Sequence, residues 1–172
     1  MRRLGVIVAL GPMLGMLGGV VTASPALAGR GPKWEFLDLK PFSLPALLCG
    51  FKIRVTFPAA KEYLKVLKAS DGSMTTLATG TLKVTFTNPS TGKAISANVS
   101  GPGKVTTHPD GSITVSGKGH NGVFLAPADA KRFGLPGVSV TAGARTETFA
   151  NGGIASLSLK GHVLVNVCAA LS

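Results

Sequence analysis

Alternating apolar and polar residues characterise the chain from Cys49 onward. The stretch FKIRVTF places phenylalanine, isoleucine and valine at every second position, with Lys52, Arg54 and Thr56 between them. A period of two places successive side chains on opposite faces of a strand. The pattern therefore predicts a strand with one face in a core and one basic face in water.

Further segments with the same pattern predict six more strands. They read GTLKVTFT, KAISANVS, KVTTH, SITVSG, ARTETFA and IASLSLKGHVLVNVC. Between some of them, TNPSTGK, HPDGS and FANGG carry Asn-Pro, Asp-Gly or Asn-Gly pairs, which are typical of hairpin turns. We therefore expect an all-β fold, an antiparallel meander closing into a small β-barrel, with a β-sandwich as the alternative.

Two segments have helical features. In PAAKEYLKVLKA, residues 58–69, Lys61, Lys65 and Lys68 form one stripe at helical spacing. The SDGS turn directly after this segment favours a strand that enters a hairpin, so we predict a strand and keep the helix as the alternative. APADAKRFG predicts one helical turn that begins at Pro127 and ends at Gly134.

The first residues predict export. Met1-Arg2-Arg3 precedes an uncharged run that ends in ALA, the pattern of a secretory signal peptide cleaved after residue 28. A retained anchor is the alternative, since the run is long enough to span a bilayer. The arginine pair leaves both the general and the twin-arginine export routes open. We expect a secreted, extracellular protein with a signal peptide (1–28), an extended N-terminal arm (29–48), a single β-domain (49–172) and no transmembrane segment after signal removal.

The charge balance is strongly basic. The 172 residues include 18 Lys and Arg against 7 Asp and Glu; removal of residues 1–28 takes away two arginines, which leaves 16 basic residues and a net charge of +9. Such a surface attracts polyanions at low salt and releases them as salt rises. An anionic cell-wall polymer or surface is the expected partner. The candidate contacts are Lys52, Arg54, Lys61, Lys65 and Lys68.

Aromatic residues are scarce, which disfavours specific nucleic-acid binding. The phenylalanines of the predicted strands alternate inward, so few stacking platforms remain for bases. Trp34, in the arm beside Lys33, is the exposed-aromatic candidate. It is a candidate for partner contact, with packing onto the β-domain as the alternative.

The two cysteines predict one disulfide. Cys49 opens the first predicted core strand, and Cys168 closes the last one. In an exported chain an even cysteine count is first interpreted as disulfides, with two buried free thiols as the alternative. Because bridged cysteine α-carbons lie within roughly 7 Å, a Cys49–Cys168 bond makes the first and last strands neighbours. This favours a closed or nearly closed barrel, although a sandwich can do the same.

Several phrases resemble a group of small exported actinobacterial proteins of unknown function. They are GTLKVTFTNPSTGKAISANVSGPG, HPDGSITVSGKG, TAGARTETF and the closing VNVCAALS with its VCAAL-like end. The resemblance covers roughly residues 49–171. It implies an exported β-domain and an extended structure for residues 58–69, and it implies no activity and no site residue.

The sequence contains few acidic residues and histidines of the kind that catalysis usually requires. Asp71 and Asp110 precede glycines in turns, and Asp129 lies in the first turn of the predicted short helix, where a carboxylate suits the helix dipole. Glu62 and Glu147 are the acids of the domain that remain unassigned. The three histidines lack the close spacing of a metal motif, and no G-x-S-x-G elbow occurs. GKGHNG matches G-x-G-x-x-G without the helix and acid that a dinucleotide site needs, so it predicts a glycine-rich β turn. We assign no catalytic, cofactor-binding or metal-binding residue.

These observations predict a non-enzymatic exported β-domain that binds or interacts at the cell surface through a basic face. A structural or stress-related secreted protein without a specific ligand is one alternative, and an enzyme of unrecognised type is another. Retention on purified wall polymer that disappears at high salt would favour the basic-face hypothesis.

Overall fold

The computed structural model describes residues Pro32–Ser172. The predicted signal peptide, and the start of the predicted arm, lie outside the described residues. Within Pro32–Ser172 most residues form strands, and the all-β prediction is confirmed.

Ten strands, one 3-10 turn and two short helices follow one another along the described chain. The strands are β1 (Glu35–Leu37), β2 (Phe42–Leu44), β3 (Ile53–Lys68), β4 (Met74–Thr87), β5 (Ala94–Asn98), β6 (Gly103–Thr107), β7 (Ile113–Gly117), β8 (His120–Phe124), β9 (Val138–Ala150) and β10 (Gly153–Asn166). The 3-10 turn spans Ala46–Leu48, and the helices are α1 (Pro127–Phe133) and α2 (Val167–Leu171). In this part of the chain no helix has the length and hydrophobicity that a membrane crossing requires.

All ten strands belong to one antiparallel sheet that forms a half-barrel. The main path runs β1-β3-β4-β6-β7-β9-β10, while β2 pairs with β3, β5 with β4 and β8 with β9. The long strands β3, β4, β9 and β10 carry the sheet, because each pairs with a long neighbour and the shorter strands attach to their sides. The segment predicted as an extended arm contains β1 and β2, and both pair with β3.

Residues 58–69 form a strand, as predicted. They continue β3, which pairs with β4 almost to its end at Lys68. The register shifts once, between Thr56 and Ala59, where β3 has one residue more than β4. Pro58 lies in this bulge, a position where a residue without a backbone N–H does not interrupt the ladder.

The main core lies between β3, β4, β9 and the C-terminal helix. Ile53, Val55, Phe86 and Val140 are almost fully buried there, and Leu171 of α2 is fully buried. Burial of each such side chain contributes roughly 1.5–3 kcal/mol relative to exposure. The apolar residues of the alternating pattern thus form the core of the domain.

The Cys49–Cys168 disulfide is confirmed, and it ties together the segments that flank the long strands. Its α-carbons lie 5.1 Å apart. Cys49 follows the 3-10 turn before β3, and Cys168 belongs to α2 rather than to the last strand. The strand predicted to run through Cys168 ends at Asn166, whose side-chain oxygen accepts a hydrogen bond from the Ala169 N–H at 3.1 Å and caps α2.

A second, smaller core lies under α1. The helix begins at Pro127, as predicted, and ends at Gly134 in the left-handed region with φ 65°. Phe133 packs with Leu125, Ile154 and neighbouring apolar residues. Arg132 on the same helix donates to the Ile154 carbonyl at 2.9 Å, which fastens α1 to β10.

The GKGHNG segment differs from its predicted role as a turn. Its last three residues begin β8, which pairs with the 138–142 end of β9. Gly122 lies beneath the Phe124 ring, where a Cβ would approach the ring to 3.3 Å. This glycine therefore serves close packing within a strand, while Gly119 (φ 85°) makes the turn.

A candidate functional site on the basic face of the sheet

The bulge at Pro58 places three of the four cations of β3 on one face. Arg54 pairs with Thr87, Lys61 with Thr81 and Lys65 with Leu77. All three partners are odd-numbered residues of the regular strand β4, so they lie on one face of the sheet. Arg54 and Lys61 stand at an odd separation along β3, and only the extra residue in the bulge places them on the same side.

The same face continues across the sheet and carries more cations. Lys83 of β4 lies on it, and Lys104 of β6 pairs with Leu77. Lys160 of β10 pairs with Ala144 of β9, two residues from Thr146, which continues the row of pairs that starts at Lys104. We call this surface the basic face. Its cations are Arg54, Lys61, Lys65, Lys83, Lys104 and Lys160, and all except the half-buried Lys65 are exposed.

The acids of the strands lie on the opposite face. Glu62 follows Lys61 in β3, Glu35 of β1 pairs with Leu64, and Glu147 of β9 pairs with Val115. These are all the acidic residues within the described strands. The basic face therefore presents positive charge without a strand carboxylate to neutralise it.

Two of the sequence-predicted contacts lie differently from the other three. Lys68 pairs with Met74 and lies on the opposite face of β3 from Lys61 and Lys65. The single lysine stripe drawn at helical spacing does not form, because a strand alternates its side chains with a period of two. Lys52 is exposed and immediately precedes β3.

Exposed aromatic side chains lie beside Lys61 and Lys65 on the basic face. Phe36 of β1 pairs with Tyr63, which stands between Lys61 and Lys65 on β3, and the two rings meet edge to face with centroids 5.8 Å apart. The exposed fractions are 59% for Phe36 and 42% for Tyr63. Trp34, directly before β1, is 47% exposed. An apolar ring surface beside ammonium groups is suited to a ligand with both a flat apolar side and a negative charge.

A row of hydroxyl groups crosses the basic face from β4 to β10. Thr75, Thr106, Thr114, Thr148 and Ser156 are successive register partners across β4, β6, β7, β9 and β10. The hydroxyls of Thr75 and Thr106 lie 3.1 Å apart, and Thr114 Oγ1 lies 3.0 Å from His108 Nε2. The face is thus polar over its whole width without carrying acids.

The opposite face holds one buried ion pair. Arg145 Nη1 lies 3.6 Å from Glu147 Oε2 and donates to the Gly122 carbonyl at 2.8 Å, and both side chains are nearly buried. Burial raises the pKa of Glu147, while the Arg145 charge opposes that rise and Asp129 adds to it. Burial also lowers the pKa of Arg145. The two residues are alternate positions of β9, on either side of Thr146, and so share the face opposite the basic face.

Glu62 is the other buried acid of this face. It is 7% exposed, and burial raises the pKa of its carboxyl group. Asp71 and Asp110, by contrast, accept hydrogen bonds from Ser73 and Ser112 in exposed turns, which lowers the pKa of each. Among the described residues, no three His, Cys, Asp or Glu side chains are grouped closely enough to hold a metal ion.

Sequence reasoning missed three cations of this face and two of its aromatic residues. Lys83, Lys104 and Lys160 each lie between apolar or glycine neighbours, so the local pattern predicts that each lysine points away from the core. The pattern does not show that the three lysines lie on the same face of one sheet. The bulge hides the relation between Arg54 and Lys61, since bulges have no strong sequence signature. Phe36 and Tyr63 lie in segments where no clear strand period was visible.

Comparison with known proteins gives no match: no family model, curated protein or solved structure is similar to this chain at a significant level.

Proposed function

We propose that the protein is an exported binding domain that holds an anionic polymer of the cell surface against its basic face. The observation that carries this proposal is the segregation of charge in the sheet. Six cations share one face, and the three strand acids lie on the other.

The spacing of the cations suits a chain-like ligand. Neighbouring strands lie about 4.8 Å apart and alternate residues of one strand about 6.7 Å apart. Lys65 and Lys104, two strands apart, are therefore separated by about 10 Å at their backbones. A small anion would contact only one or two of these cations, whereas a polymer with repeated charges can contact several at once.

The exposed aromatic rings favour a polysaccharide as this polymer. Phe36 and Tyr63 offer apolar surface beside Lys61 and Lys65, and sugar rings have an apolar side that packs on aromatic rings. The Cys49–Cys168 disulfide supports an oxidising compartment outside the cytosol, where such polymers are found.

The test is retention of the purified protein on an immobilised anionic wall polysaccharide and on a neutral glucan of similar length. We expect retention on the anionic polymer alone, with release as salt rises. Absence of retention at every salt concentration would overturn the proposal. Single-stranded DNA is added as a competitor, and preferential binding of DNA would instead assign the face to nucleic acid.

A further inference from the structure

An open groove lies on the basic face where β4, β6, β7 and β9 run side by side. Its volume is about 350 Å³, and its lining includes Leu77, Pro102, Lys104, Ser116, Lys118 and Thr146. This volume lies at the lower end of the range for small-molecule sites.

The sheet register places the polar lining in one line. Lys104 pairs with Ser116 across β6 and β7, and Ser116 pairs with Thr146 across β7 and β9. The Lys118 N–H donates to the Pro102 carbonyl at 3.1 Å, which joins two residues of the lining through the backbone. Regular strands and a backbone hydrogen bond thus fix the lining.

The groove offers positive charge that its own surroundings do not neutralise. Within Pro32–Ser172 the ion pairs are Lys40–Asp38 and Arg145–Glu147, and neither includes Lys104 or Lys118. The lining contains no acidic residue. An anion in the groove would therefore meet the ammonium groups of Lys104 and Lys118 and no carboxylate of the lining. The lining also includes Arg145, whose guanidinium group is paired with Glu147.

The chemistry of the lining matches a sugar that carries an acid group. Two ammonium groups bind a carboxylate or phosphate, and the Ser116 and Thr146 hydroxyls can exchange hydrogen bonds with ring hydroxyls. Leu77 and Pro102 supply apolar contact for the C–H side of a ring. We infer that this groove is the subsite that binds one anionic sugar unit, an inference that rests on the proposed function and adds the class of unit recognised.

A carboxylate and a phosphate can both accept charge-assisted hydrogen bonds from Lys104 and Lys118. A trimer of galacturonic acid and glucose 6-phosphate therefore serve as the two anionic probes, with maltotriose as the neutral probe. Calorimetric titration of the whole protein with each probe is the measurement. Binding of either anionic probe supports the inference and identifies the acid group, while binding of maltotriose with equal affinity contradicts it.

Variants separate the effect of this groove from that of the protein's net charge. Lys104→Ala/Lys118→Ala should weaken binding of the anionic probe by at least about tenfold, since two charge-assisted contacts are lost. Lys68→Ala/Lys131→Ala removes the same charge from two exposed residues outside both the basic face and the groove lining, and should change affinity less than about twofold. Thermal unfolding of each variant verifies folding. Equal weakening by both double variants would overturn the inference.

The failure of this inference is distinguishable from failure of the proposed function. If the protein is retained on the anionic polysaccharide but binds neither anionic probe, the groove is not the subsite and the basic face still binds the polymer. If retention on the polysaccharide is also absent, both proposals fail.

Discussion

Arg54 and Lys61 project from the same face of β3, although a regular strand would place them on opposite faces. The difference is the single extra residue between Thr56 and Ala59. It keeps Arg54, Lys61 and Lys65 together on one side and leaves Glu62 on the other. One bulge thus determines which charges meet on this part of the sheet.

Deletion of Pro58 should therefore destabilise the protein. Without the extra residue, either the pairing of β3 with β4 slips or the residues after the bulge exchange faces, which would bring Lys61 and Lys65 to the buried side. We expect the free energy of unfolding to fall by roughly 2 kcal/mol or more. Urea denaturation followed by circular dichroism measures this change.

Pro58→Ala is the matched control, because it keeps the length of the strand. We expect it to change the free energy of unfolding by less than about 1 kcal/mol. A deletion variant as stable as Pro58→Ala would show that the bulge does not set the face of these residues.

The disulfide should contribute strongly to stability. Cys49 and Cys168 are 119 positions apart, so their bond closes most of the described chain into a loop. Cys49→Ser/Cys168→Ser should lower the free energy of unfolding by about 2–5 kcal/mol, chiefly by freeing the unfolded chain. Urea denaturation of both forms checks this. A thiol assay on the denatured, unreduced protein should find no reactive thiol, and two reactive thiols would contradict the bond.

The sequence predicted most strands, the short helix α1 and the disulfide. Alternation located most strands, Pro127 and Gly134 marked α1, and the two cysteines marked the ends of the long-strand region. The turn residues after residue 69 correctly favoured strand over helix in residues 58–69. In each case, the decisive signal lies within a few residues of the element.

Two of the missed features are local packing or capping effects, and the third depends on contacts between distant segments. β8 escaped prediction because Gly122 resembles a turn residue until the Phe124 ring is placed above it. The end of β10 was misplaced because valine alternation continues to Cys168, while the Asn166 cap starts a helix there. The basic face as a whole was not predicted. Whether cations on separate strands lie on the same side of the sheet depends on the register between strands and on the bulge in β3, and neither can be derived from the sequence of one strand.

Glu62 should make stability depend on pH. Burial raises the pKa of this carboxyl in the folded protein, so the folded state retains the proton to higher pH than the unfolded chain. The protonated form contributes its full stability below the unfolded pKa near 4.3, and this is lost as pH rises through the folded pKa. Glu62→Gln stays neutral throughout. We therefore expect it to equal the wild type in stability near pH 3.5 and to exceed it at pH 7.

Thermal unfolding of the wild type and Glu62→Gln across this pH range is the measurement. Glu35→Gln, at an exposed position on the same face, controls for the loss of one negative charge. A stability difference between the wild type and Glu62→Gln that is constant with pH would refute the assignment.

Arg145 and Glu147 should depend on each other. Both side chains are nearly buried, so removal of one charge leaves the other without its partner. Arg145→Met should lower the free energy of unfolding by about 3–5 kcal/mol, and Arg145→Met/Glu147→Leu should recover much of that loss. A double-mutant cycle with Glu147→Leu measures the coupling. Additive effects of the two single substitutions would show that the pair is not coupled.

The most direct test of the basic face compares charge reversals on the two sides of the sheet. Lys61→Glu/Lys65→Glu acts on the basic face, and Lys68→Glu/Lys131→Glu makes the same charge change on the opposite face of β3 and on α1. The measurement is the salt concentration that releases each protein from an immobilised anionic polysaccharide. Our account predicts release of the first variant at much lower salt than the wild type, with a smaller shift for the second. Equal shifts for both variants would mean that net charge, and not this face, determines binding.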